Sequence, residues 1–147
     1  MSSEFNKAEE SPGFLLWQVT NIWQKEIRKA LEPFELTQPQ FVLLFSCQWL
    51  SEKEGGSGVT QVQLAQHAQV DVNVTSQVLR TLEKKGYVKR SPHPADTRAN
   101  LITVTSTGSE LALRAVHAVE AADRAFFTGI GEESAQLTRL LRRLTKL

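Results

Sequence analysis

The segment from Thr60 to Val104 constrains this chain most, because within it the hydrophobic period changes from helical to alternating. Thr60-Gln61-Val62-Gln63 reads as a capping box: the threonine oxygen accepts an amide N–H three residues on, and the glutamine reaches back. It opens a short helix with Leu64, Ala65 and Ala68 facing inward. Gln69-Val70 makes a tight turn. Asp71 is a good N-cap for a longer helix that carries Val74, Val78, Leu79 and Leu82 on one side. Gly86 stands where a left-handed C-cap wants glycine. Short helix, tight turn and longer helix are the outline of a helix-turn-helix. Tyr87 and Val88 then lead into a strand, and Leu101-Ile102-Thr103-Val104 would pair with it. Between them Ser91 to Ala99, with Pro92 and Pro94, has the composition of an exposed hairpin tip. The segment predicts a winged helix-turn-helix.

The flanks are helical. Ser11-Pro12 starts a helix carrying Leu15, Leu16, Val19, Ile22, Trp23, Ile27 and Leu31, and Pro33 ends it near Glu32. Thr37 with Gln40 forms a capping box for a helix that runs to about Trp49 and is apolar enough to be buried. Gly55 to Gly58 is a flexible turn. Thr107 with Glu110 reads as a third capping box, opening a long helix through Leu111, Leu113, Val116, Val119, Ala122 and Phe126. Gly129 and Gly131 break it, and a last helix carries Leu137, Leu140, Leu141 and Leu144. The expected fold is mainly α with a small β-wing. It comprises a disordered segment 1–10, an N-terminal dimerisation helix 11–34, a winged helix-turn-helix lobe 35–105, and C-terminal dimerisation helices 106–147.

At 147 residues the chain can fold without a disulfide or metal staple. Its one cysteine, Cys47, excludes an internal disulfide and fits a reducing compartment. The polar N-terminus is not a signal peptide, and no uncharged stretch reaches the ~18 apolar residues of a membrane span, so a cytoplasmic protein is expected. The net charge of +1 hides a pattern: residues 1–60 carry five Lys/Arg against eight Glu, whereas residues 80–98 carry six Lys/Arg against two acids. A local basic cluster on a neutral protein suggests that one face meets a polyanion, although cations also favour a helix C-terminus.

Leu64-Ala65, the turn Val70-Asp71, Leu82-Glu83 with Gly86, Val88 and Arg90, then Asp96-x-Arg98-Ala99 and Val104-Thr105 with Gly108 form an ordered series. In this series, and in the order of its flanking helices, the chain resembles the MarR family of bacterial transcription regulators. The resemblance implies a homodimer held by the outer helices, through residues such as Leu15, Val19, Leu137, Leu140, Leu141 and Leu144, on double-stranded operator DNA of pseudo-palindromic sequence. A helix in the major groove must present hydrogen-bonding side chains to base edges. If Val74, Val78 and Leu82 face the core, Asn73, Ser76, Gln77 and Arg80 project outward, with Thr75 at the boundary. Arg98 at the wing tip suits the minor groove. The resemblance gives Asp96 the role of bracing it. Lys84, Lys85, Lys89 and Arg90 suit phosphates, and His93 reads as an exposed loop histidine.

Release by a small, often aromatic, anion or by an oxidant is common among regulators of this kind. Phe14, Trp17, Trp23, Phe41, Phe45 and Trp49 are candidates for an effector pocket, with plain core as the alternative for each. Cys47 lacks an adjacent cation and lies on an apolar helix, which disfavours a sensor thiol. His67, His93 and His117 are too scattered for a zinc site, and His117 reads as a core or interface residue. No cofactor is expected. No nucleophile–base pair or phosphate loop suggests an enzyme. The main reading is a DNA-binding regulator, expected to be a repressor. The alternative is a winged-helix protein–protein interaction module without DNA affinity.

Overall fold

Two of the helix starts are set by the capping boxes read above. In the computed structural model, which describes residues 2–96 and 98–146, Thr37 Oγ1 accepts from Gln40 N at 3.2 Å while Gln40 Oε1 accepts from Thr37 N at 3.1 Å. Thr60 and Gln63 repeat the exchange at 3.2 and 2.8 Å. Residues 1, 97 and 147, which belong to the expected terminal segments and to the wing, lie outside the described residues.

The helices are α1 (Pro12–Leu31), α2 (Gln38–Lys53), α3 (Gln61–Ala68), α4 (Val72–Lys84), α5 (Ser106–Phe127) and α6 (Ser134–Thr145). The strands are β1 (Val59–Thr60), β2 (Val88–Pro92) and β3 (Asn100–Val104). The sheet is antiparallel in the order β1-β3-β2. The fold is mainly helical with a small wing, as expected. The segment 1–10 contains a 3-10 turn at Ala8–Glu10.

The chain divides into two units, residues 31–118 and residues 1–30 with 119–147. The first holds most of the core. In it α2 packs against α3, α4 and the sheet, with Leu43, Leu44, Cys47, Val59, Leu64, Leu79, Leu82, Val88 and Ile102 buried. In the second, Trp23 Nε1 donates to Asp123 Oδ1 at 2.8 Å, joining α1 to the last turns of α5. Ile27 and Val119 are its buried apolar residues among those described.

Several expectations need correction. The two-residue strand β1 was not anticipated; Val59 pairs with Ile102 and Thr60 with Leu101. The helix over 38–53 runs four residues past Trp49. The cap of α5 is Thr105, not Thr107: Thr105 Oγ1 accepts from Gly108 N at 3.0 Å. Leu113 and His117 are exposed, which removes His117 from the core, because the buried row of α5 is Leu111, Ala112, Ala115 and Val119.

Gly108 allows this cap. Its Cα lies against the Tyr87 peptide, where an added Cβ would come within 2.9 Å of the Tyr87 carbonyl carbon. The obstacle is backbone and cannot rotate away. Gly108→Ala is therefore expected to cost about 3 kcal/mol, the upper end for overpacking, read as a lower urea midpoint with helical content retained.

Candidate nucleic-acid interface

The turn between α3 and α4 is closed by the backbone and by one carboxylate. Gln69 adopts a left-handed conformation (φ 57°), and Val70 N returns to Ala65 O at 3.0 Å. Asp71 Oδ1 accepts from Asn73 N at 2.8 Å and Val74 N at 3.3 Å, capping α4. Gly86, with φ 81°, follows the C-cap Lys85 and closes α4 as expected.

The buried row of α4 is Thr75, Leu79 and Leu82. This rotates the inward face by one residue from the one anticipated. Val74 is 43% exposed, and Thr75, expected at the DNA-facing boundary, is 0% exposed. Thr75 fits the core because its own helix satisfies its hydroxyl: Oγ1 donates to Asp71 O at 2.9 Å. It is withdrawn from the candidate DNA contacts. With about 3.6 residues per turn, Asn73, Gln77, Arg80 and Lys84 form one exposed row opposite that core row. Ser76 is half-buried, and its Oγ accepts from Arg80 Nη2 at 3.1 Å. Val72 and Val74 are exposed in the first turn of the same helix. Sequence reasoning missed them, since apolar side chains were assigned to the core; no local signal marks them as outward.

The wing follows from period-2 alternation. Val88 and Arg90 share a face of β2, and Arg90 lies opposite Ile102. That face turns toward α4, and Arg90 Nε reaches Glu83 Oε1 at 3.4 Å. Arg90 is thus half-buried and ties the wing to the helix, while Lys89 on the other face is exposed. Lys85 Nζ donates to Glu35 O at 3.1 Å, and Lys84 is exposed. Pro92 closes β2, where an edge strand tolerates a missing N–H. At the tip, Arg98 Nε lies 3.3 Å from Asp96 Oδ1, and Arg98 N donates to the same oxygen at 3.0 Å. The Arg98 side chain is 91% exposed. The structure therefore places one outward row on α4 and one braced guanidinium on the wing.

The aromatic candidates fall in different places. Phe41 and Phe45 stack along α2 with centroids 5.9 Å apart. Trp49 stacks on His67 at 5.5 Å, with Lys53 Nζ 5.1 Å from its ring. Phe14 and Trp17 are exposed, and Trp23 is half-buried. An open cavity of about 510 Å³ is lined by Gln48, Val104, Thr105, Ser106, Ser109, Glu110 and Leu113, none of them among the six. No helix among the described residues is long and apolar enough to cross a membrane.

Residues 36–99 match the family model described as MarR family. The chain is 46% identical over 125 residues to an uncharacterized HTH-type transcriptional regulator, YdcH, of Bacillus subtilis, covering 85% of this chain and 84% of the relative. It is 38% identical over 117 residues to the HTH-type transcriptional repressor Rv2887 of Mycobacterium tuberculosis, covering 79% and 80%. The crystal structure of a mutant MarR from E. coli complexed with operator DNA superposes with a TM-score of 0.82 at 27% identity, covering 97% of this chain and 99% of that one.

Cys47 is fully buried, and its thiol donates to Ile102 O at 3.7 Å. Burial pushes its pKa up to about 12, with the neighbouring Ser51 hydroxyl opposing. A thiol held protonated is a poor nucleophile. The native protein should resist iodoacetamide near neutral pH and react only when unfolded. The folded chain holds this proton more tightly than the unfolded chain, so its contribution is complete below the unfolded pKa and is lost as pH rises through the folded one. Stability should therefore fall between about pH 9 and pH 12, and Cys47→Ala should flatten that fall in alkaline urea titrations.

Proposed function

This chain belongs to the MarR family of transcriptional regulators, and we propose that it acts as a repressor that binds a pseudo-palindromic operator as a homodimer. The observation that carries this reading is the pairing of the outward row Asn73, Gln77 and Arg80 with the braced, exposed Arg98. Asn73 and Gln77 have the donor–acceptor pair that matches adenine in the major groove, and Arg80 suits guanine or a phosphate. The exposed Val72 and Val74 are suited to thymine methyl groups. Arg98 enters the minor groove, where narrow A·T tracts concentrate negative potential. Lys84, Lys85 and Lys89 supply phosphate contacts, which position the protein without reading sequence. Arg90 is assigned to the wing–helix tie instead, because Glu83 already engages it.

Dimerisation is supported by what the second unit leaves uncovered. Leu15, Val19, Leu140, Leu141 and Leu144 are all exposed, together with Leu16, Trp17 and Ile22. Exposed apolar side chains in this number on α1 and α6 suit an interface, and a two-fold copy would match a palindromic site. Release by a small effector belongs to the same reading: a ligand that binds one conformation better shifts the spacing of the two recognition helices. The six aromatic candidates are divided between the two units, Phe14, Trp17 and Trp23 in one and Phe41, Phe45 and Trp49 in the other, so no single lining is assigned to them.

The test is fluorescence anisotropy on DNA from the protein's own upstream region against a scrambled duplex. Tight binding to the native duplex alone is expected, with a log–log salt slope of about −0.9 per phosphate contact. Absence of binding even at low salt would move the weight to the protein–protein module. Arg98→Ala should weaken operator binding by roughly tenfold or more with an unchanged melting temperature; unchanged affinity would remove the wing from the mechanism. Leu140→Glu combined with Leu144→Glu should convert the dimer to monomer in sedimentation and abolish operator binding. A double variant that stays dimeric would place the interface elsewhere.

A further inference from the structure

The wing tip contains a second acceptor that the Asp96–Arg98 pair depends on. His93 Nδ1 lies 3.0 Å from Ala95 N and 3.1 Å from Asp96 N. Both backbone N–H groups point at one ring nitrogen, so Nδ1 must present its lone pair and the ring proton must sit on Nε2. The pattern, one side-chain acceptor serving the amides two and three residues on, is the one Asp71 uses to cap α4. Here no helix follows, and the same device folds a loop. His93 N also donates to Ala99 O at 3.2 Å, and Ala99 N returns to Asp96 O at 3.1 Å. The side chain therefore holds the amide of Asp96 from inside the turn, and Asp96 in turn holds both the amide and the guanidinium of Arg98.

We propose that His93 is the positioning residue of the wing: its neutral imidazole orders the tip and, through Asp96, aims Arg98 at the minor groove. The proposal rests on the reading of the wing as a DNA-binding element. His93 acts by accepting hydrogen bonds, not by meeting DNA. Pro92 and Pro94 restrict the backbone on either side of it, so the acceptor needs to hold only the three residues beyond. Besides Arg98, the charged groups of the wing are Lys89 and Arg90 on β2 and Asp96 in the tip; β3 carries none.

Three variants on the full-length protein test this. Relative to wild type, His93→Ala should weaken operator binding about fivefold, for two lost hydrogen bonds in an exposed loop. His93→Asn, whose amide oxygen can accept from the same two N–H groups, should stay within about twofold of wild type. In an Arg98→Ala background, His93→Ala should cost nothing further, because the residue it aims is gone. An equal loss in both backgrounds would mean that His93 makes its own DNA contact, and would overturn the positioning role. Amide hydrogen exchange of the free protein supplies an arm that needs no DNA. Ala95 and Asp96 should exchange roughly fivefold faster in His93→Ala and at the wild-type rate in His93→Asn. Unchanged exchange in His93→Ala would also overturn the proposal. If wild type bound no operator, the DNA reading would fail, and the exchange arm would still decide whether His93 holds the tip.

Discussion

The Thr105 hydroxyl is the joint on which the winged helix-turn-helix unit depends. It donates to Gly86 O at 2.7 Å and accepts from Gly108 N at 3.0 Å, while its own amide donates to Tyr87 O at 3.0 Å. Three elements meet there: the end of α4, the residue leading into the wing and the first turn of α5. Each bond alone contributes about 1 kcal/mol. Their value lies in being made by one residue, because the Gly86 carbonyl, the Tyr87 carbonyl and a helix N-terminus must then share one geometry. A free wing could twist relative to α4. A wing pinned at Gly86–Tyr87 and again at Arg90–Glu83 cannot twist without breaking both attachments.

The same joint explains where local sequence patterns stop being sufficient. Thr37 and Thr60 were readable as caps because each has glutamine three residues on. At the start of α5, Thr105 and Thr107 both qualify by pattern, and Glu110 favoured the wrong one. The choice between them is tertiary: only Thr105 reaches Gly86 and lets Gly108 pack on the Tyr87 peptide. The rotation of α4 has a related cause. Threonine counts as polar and valine as apolar, so pattern alone turned Val74 inward. Thr75 can replace it because the Asp71 carbonyl satisfies its hydroxyl within the helix, leaving only a methyl-sized surface to pack. The helix-turn-helix, its cap Asp71 and the glycine at 86 were legible, since each is fixed by residues adjacent in the chain; the Asp96–Arg98 pair was implied by the family resemblance.

The basic cluster from Arg80 to Arg98 is less loose than its composition suggests. Arg80 is held by Ser76, Lys85 by Glu35, Arg90 by Glu83 and Arg98 by Asp96. Two of these are ion pairs and two are hydrogen bonds to a hydroxyl and a backbone carbonyl, and surface contacts of this kind add little to stability. What they change is the conformational freedom of long side chains, which must otherwise be frozen when a partner binds. Arg90 shows that position on a strand can override charge: alternation puts it on the inner face, and its guanidinium is used inside the protein. Arg98 is the opposite case, a side chain braced at its base and exposed along its length.

The two units differ in how far each satisfies itself. Residues 31–118 surround α2 with apolar side chains, and the one thiol among them is shielded so well that its proton is hard to remove. Residues 1–30 and 119–147 bury little beyond Ile27 and Val119 and leave a row of leucines on α6 in the open. Water tolerates scattered apolar residues on a surface. It does not favour Leu140, Leu141 and Leu144 aligned on a helix whose remaining face is Arg139, Arg142, Arg143 and Lys146. Such a helix is amphipathic, with its apolar side only partly covered among the described residues. A second copy of the chain, as proposed, would supply the missing layer. Operator binding and dimerisation would then be coupled for a simple reason: the unit that reads DNA is complete in one chain, and the unit that sets the distance between two readers is not.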